Sequence, residues 1–357
     1  MLKDRTSRHL AFWRREPVDR PVLGVYLGGY LSEDIYLVAK DGDLLHPDQL
    51  RPELFFTTLS KQLNLLNDLD QDLIVPVQPI SSVPWLEAMF GCPILVSAHS
   101  IWAGKLLEKN SPIESFKPAW DEAWEEAALH FVQALVRQFS PDAPIAGPFL
   151  RGPADVLAAL IGAERLAYEL IDHPTDIQRL AALCAQRWVG VTQRILAEIP
   201  AWMDGYVLGA RWLYAPASCS YASEDITMLF SPDTYRNIFL PHNEWMTEQV
   251  PYGFWHRHSP SWHHLKALSG LPPTWAVEVT MDPGGARSQK ILPILKELQN
   301  SGRCLIIFGL NDPVEVETLV SNLSPRGLCL TVQADHPEQA SRLLEAVREC
   351  VYGPEIL

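Results

Sequence analysis

The chain of 357 residues lacks any run of about 18 apolar residues, so no segment is expected to span a membrane. It is short of positive charge: 29 Lys and Arg stand against 43 Asp and Glu, a formal net charge of −14. That balance speaks against nucleic acid as a partner, because phosphates need a basic patch. It also speaks against a substrate carrying many carboxylates. The six cysteines, Cys92, Cys184, Cys219, Cys304, Cys329 and Cys350, show no paired spacing. This excludes a disulfide framework and fits free thiols in a reducing compartment. The first residues, Met-Leu-Lys-Asp-Arg-Thr-Ser-Arg, are charged and lead into no apolar signal core, so a cytoplasmic chain is expected. No linker divides the sequence, no repeat recurs, and no phosphate-binding glycine motif follows a strand.

What is present is apolar: 47% hydrophobic residues against 20% charged ones, enough for a large core. Eight short apolar stretches read as strands, at 22–27, 72–77, 144–149, 205–209, 252–257, 275–280, 303–308 and 327–332. Helical periodicity is expected at 5–15, 52–67, 119–139, 174–199, 288–300, 312–321 and 337–350. Further helices open at Pro153 and at the Ser231-Pro232 cap, and 92–102 reads as an inserted hairpin. Strand and helix alternating eight times predict an α/β chain folded as a (β/α)₈ TIM barrel. It is expected to form one domain over 1–357, with a helical extension at 1–20. In such a barrel the site lies at the C-terminal ends of the strands.

Four histidines fall within 256–264. His256 and His258 sit at i, i+2 on the strand that begins Tyr252-Gly-Phe-Trp255, so they share one face near its C-terminal end. Two imidazoles there either ligate a transition metal or are satisfied structural residues. Cys329, on the last strand, would complete a three-ligand site with one open position, as catalytic zinc sites have, or else be a buried thiol. Glu278, on the sixth strand, could be a fourth ligand, a general base or a paired carboxylate. Asp72 could orient a substrate or cofactor, or cap a strand start. Arg151 and Arg211 follow the third and fourth strands and could grip an anion or form structural salt bridges. Trp85, Trp212, Trp255 and Trp262 could wall a pocket for a flat or apolar ligand such as a corrin, or be core and surface packing. His263 and His264 are expected exposed on the following helix.

Several motifs fall in one order: Glu16-Pro-Val-Asp-Arg-Pro21, Asp72-Leu-Ile-Val-Pro76, Val83-Pro-Trp-Leu-Glu-Ala-Met-Phe-Gly-Cys-Pro93, Phe230-Ser-Pro-Asp-Thr-Tyr235 with Leu240-Pro241, Gly327-Leu-Cys-Leu and Asp335-His-Pro-Glu338. On these the chain resembles the uroporphyrinogen decarboxylase superfamily, which also holds cobalamin-dependent methyltransferases. The loop at 21–30 holds Tyr26, Gly28, Gly29 and Tyr30 where the decarboxylases carry two arginines, and their tyrosine after the third strand is replaced near Ala158 or Ala159. Decarboxylation of uroporphyrinogen is therefore not expected. Tyr30, in that loop, is a candidate for substrate contact.

The zinc methyltransferases carry His-x-Cys on the strand matching 252–258 and a second Cys on the last strand. His256 matches the His, His258 stands in place of the first Cys, and Cys329 falls at or within a residue of the second. The resemblance implies zinc at His256, His258 and Cys329, activating a small thiol or polarising a methylated substrate. It also implies methyl exchange with a cobalamin, free or on a small corrinoid protein, and is compatible with a homodimer. Two other readings stay open: a metal-independent decarboxylase or lyase of a smaller acid, and a non-catalytic corrinoid- or tetrapyrrole-binding protein. The first would gain if Cys329 lies away from His256 and Asp72 faces a pocket with Arg151 or Arg211.

Overall fold

A computed structural model describes residues 2–27, 37–97, 100–108 and 111–352. The strands are β1 (Val22–Leu27), β2 (Leu44–Leu45), β3 (Ile94–Val96), β4 (Ile101–Ala103), β5 (Tyr206–Val207), β6 (Tyr214–Ala215), β7 (Cys219–Ser223), β8 (Tyr252–His258), β9 (Trp275–Thr280), β10 (Leu305–Leu310) and β11 (Leu328–Ala334). Six of them form one sheet in the order β1-β11-β10-β9-β8-β7, every neighbouring pair parallel. Parallel strands covered on both faces read as unbroken apolar runs. β10, Leu-Ile-Ile-Phe-Gly-Leu, is buried at all six positions. Helices Ser288–Asn300, Pro313–Asn322 and Pro337–Tyr352 follow β9, β10 and β11 in turn. Pro313 and Pro337 at the starts of the last two, and Asp312, whose side chain accepts from the Val314 N–H, mark those helix N-termini. The expected hairpin at 92–102 is β3 and β4, antiparallel and extended by β2.

Between β1 and β7 the ladder is interrupted. The strands expected at 72–77 and 144–149 are extended segments held by isolated bonds: Asp72 N–H to Leu23 O (2.8 Å), Val77 N–H to Pro144 O (2.8 Å) and Ala146 N–H to Val77 O (2.9 Å). Pro76, Pro79, Pro144 and Pro148 have no N–H to give, so no regular ladder can propagate through them. Of the strand expected at 205–209, only Tyr206–Val207 forms, and it pairs antiparallel with β6. Its place in the sheet is taken by β7, from a stretch expected as loop. Among the described residues the sheet is therefore barrel-like, without a closed eight-stranded ladder.

One hydrophobic core runs from Phe12 to Val347 and includes Trp85, Trp188, Trp255 and Trp275, all at 0% exposure. Gly253 is required where β8 passes β9: a Cβ there would lie 2.5 Å from Ser220 O and 2.8 Å from the Trp275 ring. The N-terminal helix, Leu2–Arg14, closes the far end of the sheet, where Trp13 Nε1 donates to Tyr214 O and the Tyr214 N–H donates to His9 Nδ1, both at 2.8 Å. Among the described residues no helix is long and apolar enough to cross a membrane.

Candidate functional site

At the C-terminal ends of the strands is a cavity of about 330 Å³. Strand periodicity determines which residues reach it: Tyr221 and Ser223 from β7, Phe254, His256 and His258 from β8, Thr280 from β9, Phe308 from β10 and Thr331 from β11. A register irregularity between Phe308 and Leu310, at Gly309 with φ 82°, interrupts β10 where it leaves the rim.

His256 and His258 share the face their spacing predicts, with ring centroids 4.7 Å apart. Asp225, two residues beyond β7, stands before them because β7 and β8 pair Ser223 with His256. Its Oδ1 lies 3.5 Å from His256 Nε2 and its Oδ2 lies 3.5 Å from His258 Nε2. The other ring nitrogens face carboxylates: His256 Nδ1 contacts Glu278 Oε2, and His258 Nδ1 lies 2.8 Å from Asp282 Oδ1. Asp155, at the start of helix Pro153–Ile161, accepts the Ile226 N–H at 2.8 Å and so steadies the turn that carries Asp225.

Charge follows this geometry. The hydrogen bond to Asp225 pushes the His258 imidazole up to about 9 against the effect of burial, with Asp282 adding to the rise. Burial alone would raise the Asp225 carboxyl, but His258 and His256 hold it well below the usual carboxylate range. Glu278 is completely buried, which by itself would raise it too; Arg211 and His256 beside it keep it low.

Among the described residues, Asp225, His256 and His258 form the group of acids, thiols and imidazoles whose donor atoms lie within 4.8 Å of one another. Cys329 is outside that group. It shares a sheet layer with Glu278 and His256 but sits on β11, three strands from β8. Thr331, two residues on, is the β11 side chain that reaches the cavity. The Cys329 thiol is fully buried, 4.0 Å from Thr331 Oγ1, and burial pushes it up to about 12. Of the expected trio, the structure brings His256 and His258 together beside Asp225, and Cys329 lies apart from them.

The remaining expected residues divide. Arg211 and Trp212 line the cavity, both in left-handed backbone (φ 64° and 52°), strained for non-glycine residues. Arg211 lies 3.2 Å from both Glu278 Oε1 and Thr280 Oγ1 and stacks 3.5 Å over the Phe308 ring. Glu278 is beneath the cavity as the partner of His256 and Arg211. Asp72 is at the opposite end of the sheet, ion-paired to Arg20 and 3.7 Å from Arg8, and accepting the Leu23 N–H at 2.8 Å. It does not face the cavity, so the strand-start reading describes its place. Arg151 is held by Glu87 at 3.1 Å, outside the lining. Trp255 points from the other face of β8 into the core, where its Nε1 has no partner among the described residues. Tyr30 lies outside the described residues. His264, expected exposed, is buried, with Nε2 2.8 Å from Thr227 O.

Asp225 and Asp282 were not legible as site residues while 210–225 read as loop. The alternation Cys219, Tyr221, Ser223 before Glu224-Asp225 is the signal that marks a strand end followed by an acid.

No family model and no curated protein matches the chain. Among solved structures, a methyltransferase from Methanosarcina mazei superposes over 97% of this chain and 98% of that one, with a TM-score of 0.63 at 15% identity. A structure from Aquifex aeolicus VF5 aligns over 98% of both chains at a TM-score of 0.33 and 12% identity, too weak a match to argue from. The conclusion is one of fold: from end to end the chain shares the architecture of a methyltransferase.

Proposed function

We propose that this chain is a methyltransferase of the uroporphyrinogen decarboxylase superfamily, moving a methyl group between a corrinoid, free or on a partner protein, and a small substrate in the cavity. The observation that carries the metal part of this reading is the pair of imidazoles. Each has its Nδ1 against a carboxylate and its Nε2 toward Asp225, the outer-shell pattern of metal-ligating histidines. His256, His258 and Asp225 would hold a divalent ion such as zinc, as sites of two histidines and one carboxylate do. Bound there, the ion would supply a Lewis acid to the heteroatom that loses or gains the methyl group. The protein's own residues do the rest. Glu278 and Asp282 orient the imidazoles, Arg211 offsets the buried charge of Glu278, and the aromatic walls exclude water. The methyltransferase fold favours this activity among the many that barrel-like folds support. The lyase reading loses its support because Asp72 is bound up with Arg20 and Arg8 at the far end of the sheet.

The test is the metal content of untagged protein by elemental analysis. About one zinc per chain is expected in wild type and in Cys329→Ala, and none in Asp225→Ala or His256→Ala. Retention in Asp225→Ala with loss in Cys329→Ala would overturn the ligand set. Where metal is present, demethylation of methylcobalamin, followed by its visible spectrum, tests the transfer.

A further inference from the structure

The ladder between β7 and β8 ends before Asp225. Its last pair is Ser223 with His256, so no backbone bond of the sheet fixes Asp225 against the histidines. Beyond that pair a side chain takes over. Arg257 lies between the two histidines in sequence and, by strand alternation, on the opposite face of β8. Its Nη1 donates to the Glu224 carbonyl at 3.3 Å and to the His256 carbonyl at 3.4 Å. One guanidinium therefore joins the peptide that leads into Asp225 to the peptide that follows His256.

The guanidinium is itself held. Nη2 donates to Glu224 Oε2 at 3.3 Å and to the Tyr235 hydroxyl at 2.6 Å. Its Cζ lies 4.9 Å from the Tyr235 ring centroid and 5.6 Å from that of Trp255. Glu224 is anchored in turn: Oε1 accepts the Ala154 N–H at 3.0 Å, and Oε2 accepts from Asn243 Nδ2 at 2.7 Å. Gly152 is required for this approach, since a Cβ there would lie 2.7 Å from Glu224 Cγ. Asn243 also donates to the Tyr235 hydroxyl at 3.1 Å. Eight residues of regular helix would set Tyr235 and Asn243 about 80° apart around the axis. The π turn at Tyr235–Phe239, just before Pro241 in helix Leu240–Glu248, inserts about one residue and brings them onto one face.

Stability does not account for this group. Arg257, Glu224, Tyr235 and Asn243 are all at 0% exposure. Taking two charges out of water costs about as much as their attraction contributes, and replacing such a pair by apolar groups is often neutral or stabilising. Arg257 Nε and Asn243 Oδ1 are also buried without a partner among the described residues, which adds to the cost. What the pair does supply is geometry: a planar fork with fixed directions, at the place where the backbone ladder stops.

We propose that Arg257, clamped by Glu224, is a positioning residue that sets the distance of Asp225 from His256 and His258, and so the affinity of the three for a divalent ion. This role rests on the metal site assigned above; Arg257 itself is outside the cavity lining.

The test compares wild type with Glu224→Gln/Arg257→Met, which removes both charges together and leaves no unpaired charge behind. The glutamine keeps an acceptor for the Ala154 N–H, and Asn243 can turn its amide to receive the new N–H. Two quantities are read on the full chain: the melting temperature after chelator treatment, and zinc affinity by competition with a chromophoric chelator. The double variant is expected to melt within a few degrees of wild type and to bind zinc about tenfold more weakly. Cobalt(II) loaded in place of zinc should give a visible spectrum different from that of wild type, because the ligand geometry has changed. A merely structural network predicts the reverse, a lower melting temperature with zinc affinity and cobalt spectrum unchanged. That result overturns the inference and leaves the metal site standing. If the double variant does not fold, Tyr235→Phe decides, since it removes only an acceptor of Nη2. Zinc binding about threefold weaker supports the inference, and unchanged affinity overturns it. Wild type without zinc overturns the metal site and this inference together. Zinc held by wild type and weakened in the variant, with methylcobalamin untouched by either, refutes the methyltransferase reading alone.

Discussion

His256 and His258 illustrate how a ligand is made from an ordinary side chain. An imidazole on a strand rotates and changes tautomer freely until its second nitrogen is engaged; Glu278 and Asp282 do this here, one for each ring. Removing the charge of either carboxylate while keeping its shape should therefore weaken zinc binding 10–100-fold, the usual cost of losing an outer-shell partner. Glu278→Gln also strips Arg211 of its buried counter-ion, so the half-buried Asp282→Asn is the cleaner variant. Competition with a chromophoric chelator measures the effect, with Cys329→Ala as the neutral control. Unchanged affinity in Asp282→Asn would show that the carboxylates do not orient the ligands. Spacing alone gave the shared face of the two histidines. The choice between Cys329 and Asp225 was not legible, because an inward-facing thiol on β11 and an acid beyond β7 look equally plausible until the strands are placed.

Among the elements, the N-terminal helix Leu2–Arg14 has the most specific attachment. His9 is completely buried and accepts the Tyr214 N–H through Nδ1, so it must be neutral on that side; burial pushes it down to about 4, against the pull of Asp72. A histidine whose folded value is depressed contributes stability that is fully present above its unfolded value of about 6.5. That contribution is lost as pH falls from 6.5 toward 4, because the unfolded chain takes up a proton that the folded one refuses. The shift corresponds to about 3 kcal/mol. Melting temperature is expected to drop over that window, and more shallowly in His9→Asn, whose amide oxygen can take the place of Nδ1. An equal drop in the variant would assign the acid sensitivity elsewhere. The helix itself was legible from its periodicity, as were Pro174–Glu198 and Ser288–Asn300. Less regular were the segments where proline interrupts the apolar runs: 72–77 and 144–149 are extended but not laddered. Trp255 was misplaced for a simpler reason. It is one residue from His256 on the same strand and so must face the other way.

For the molecule as a whole, the candidate ligands come from two neighbouring strands and their exits, β7 and β8. An ion there would tie the turn after β7 to the end of β8 and stabilise the folded state over the unfolded chain. Zinc at about 100 times its dissociation constant adds roughly 2.7 kcal/mol by mass action. The melting temperature of chelator-treated protein should therefore rise on adding zinc, with no rise in Asp225→Ala. A rise of equal size in that variant would place the ion elsewhere.

By itself the sequence determined the class of the fold, most of the helices, the last four strands and the common face of His256 and His258. These depend on periodicity and capping, which act within a few residues and can be read from local spacing. Only the tertiary structure decided that Asp225 joins the histidines, that Cys329 stays apart from them on β11 and that Asp72 belongs to the far end of the sheet. Each of those outcomes depends on which strands are neighbours and in what register, and register is a property of the assembled sheet.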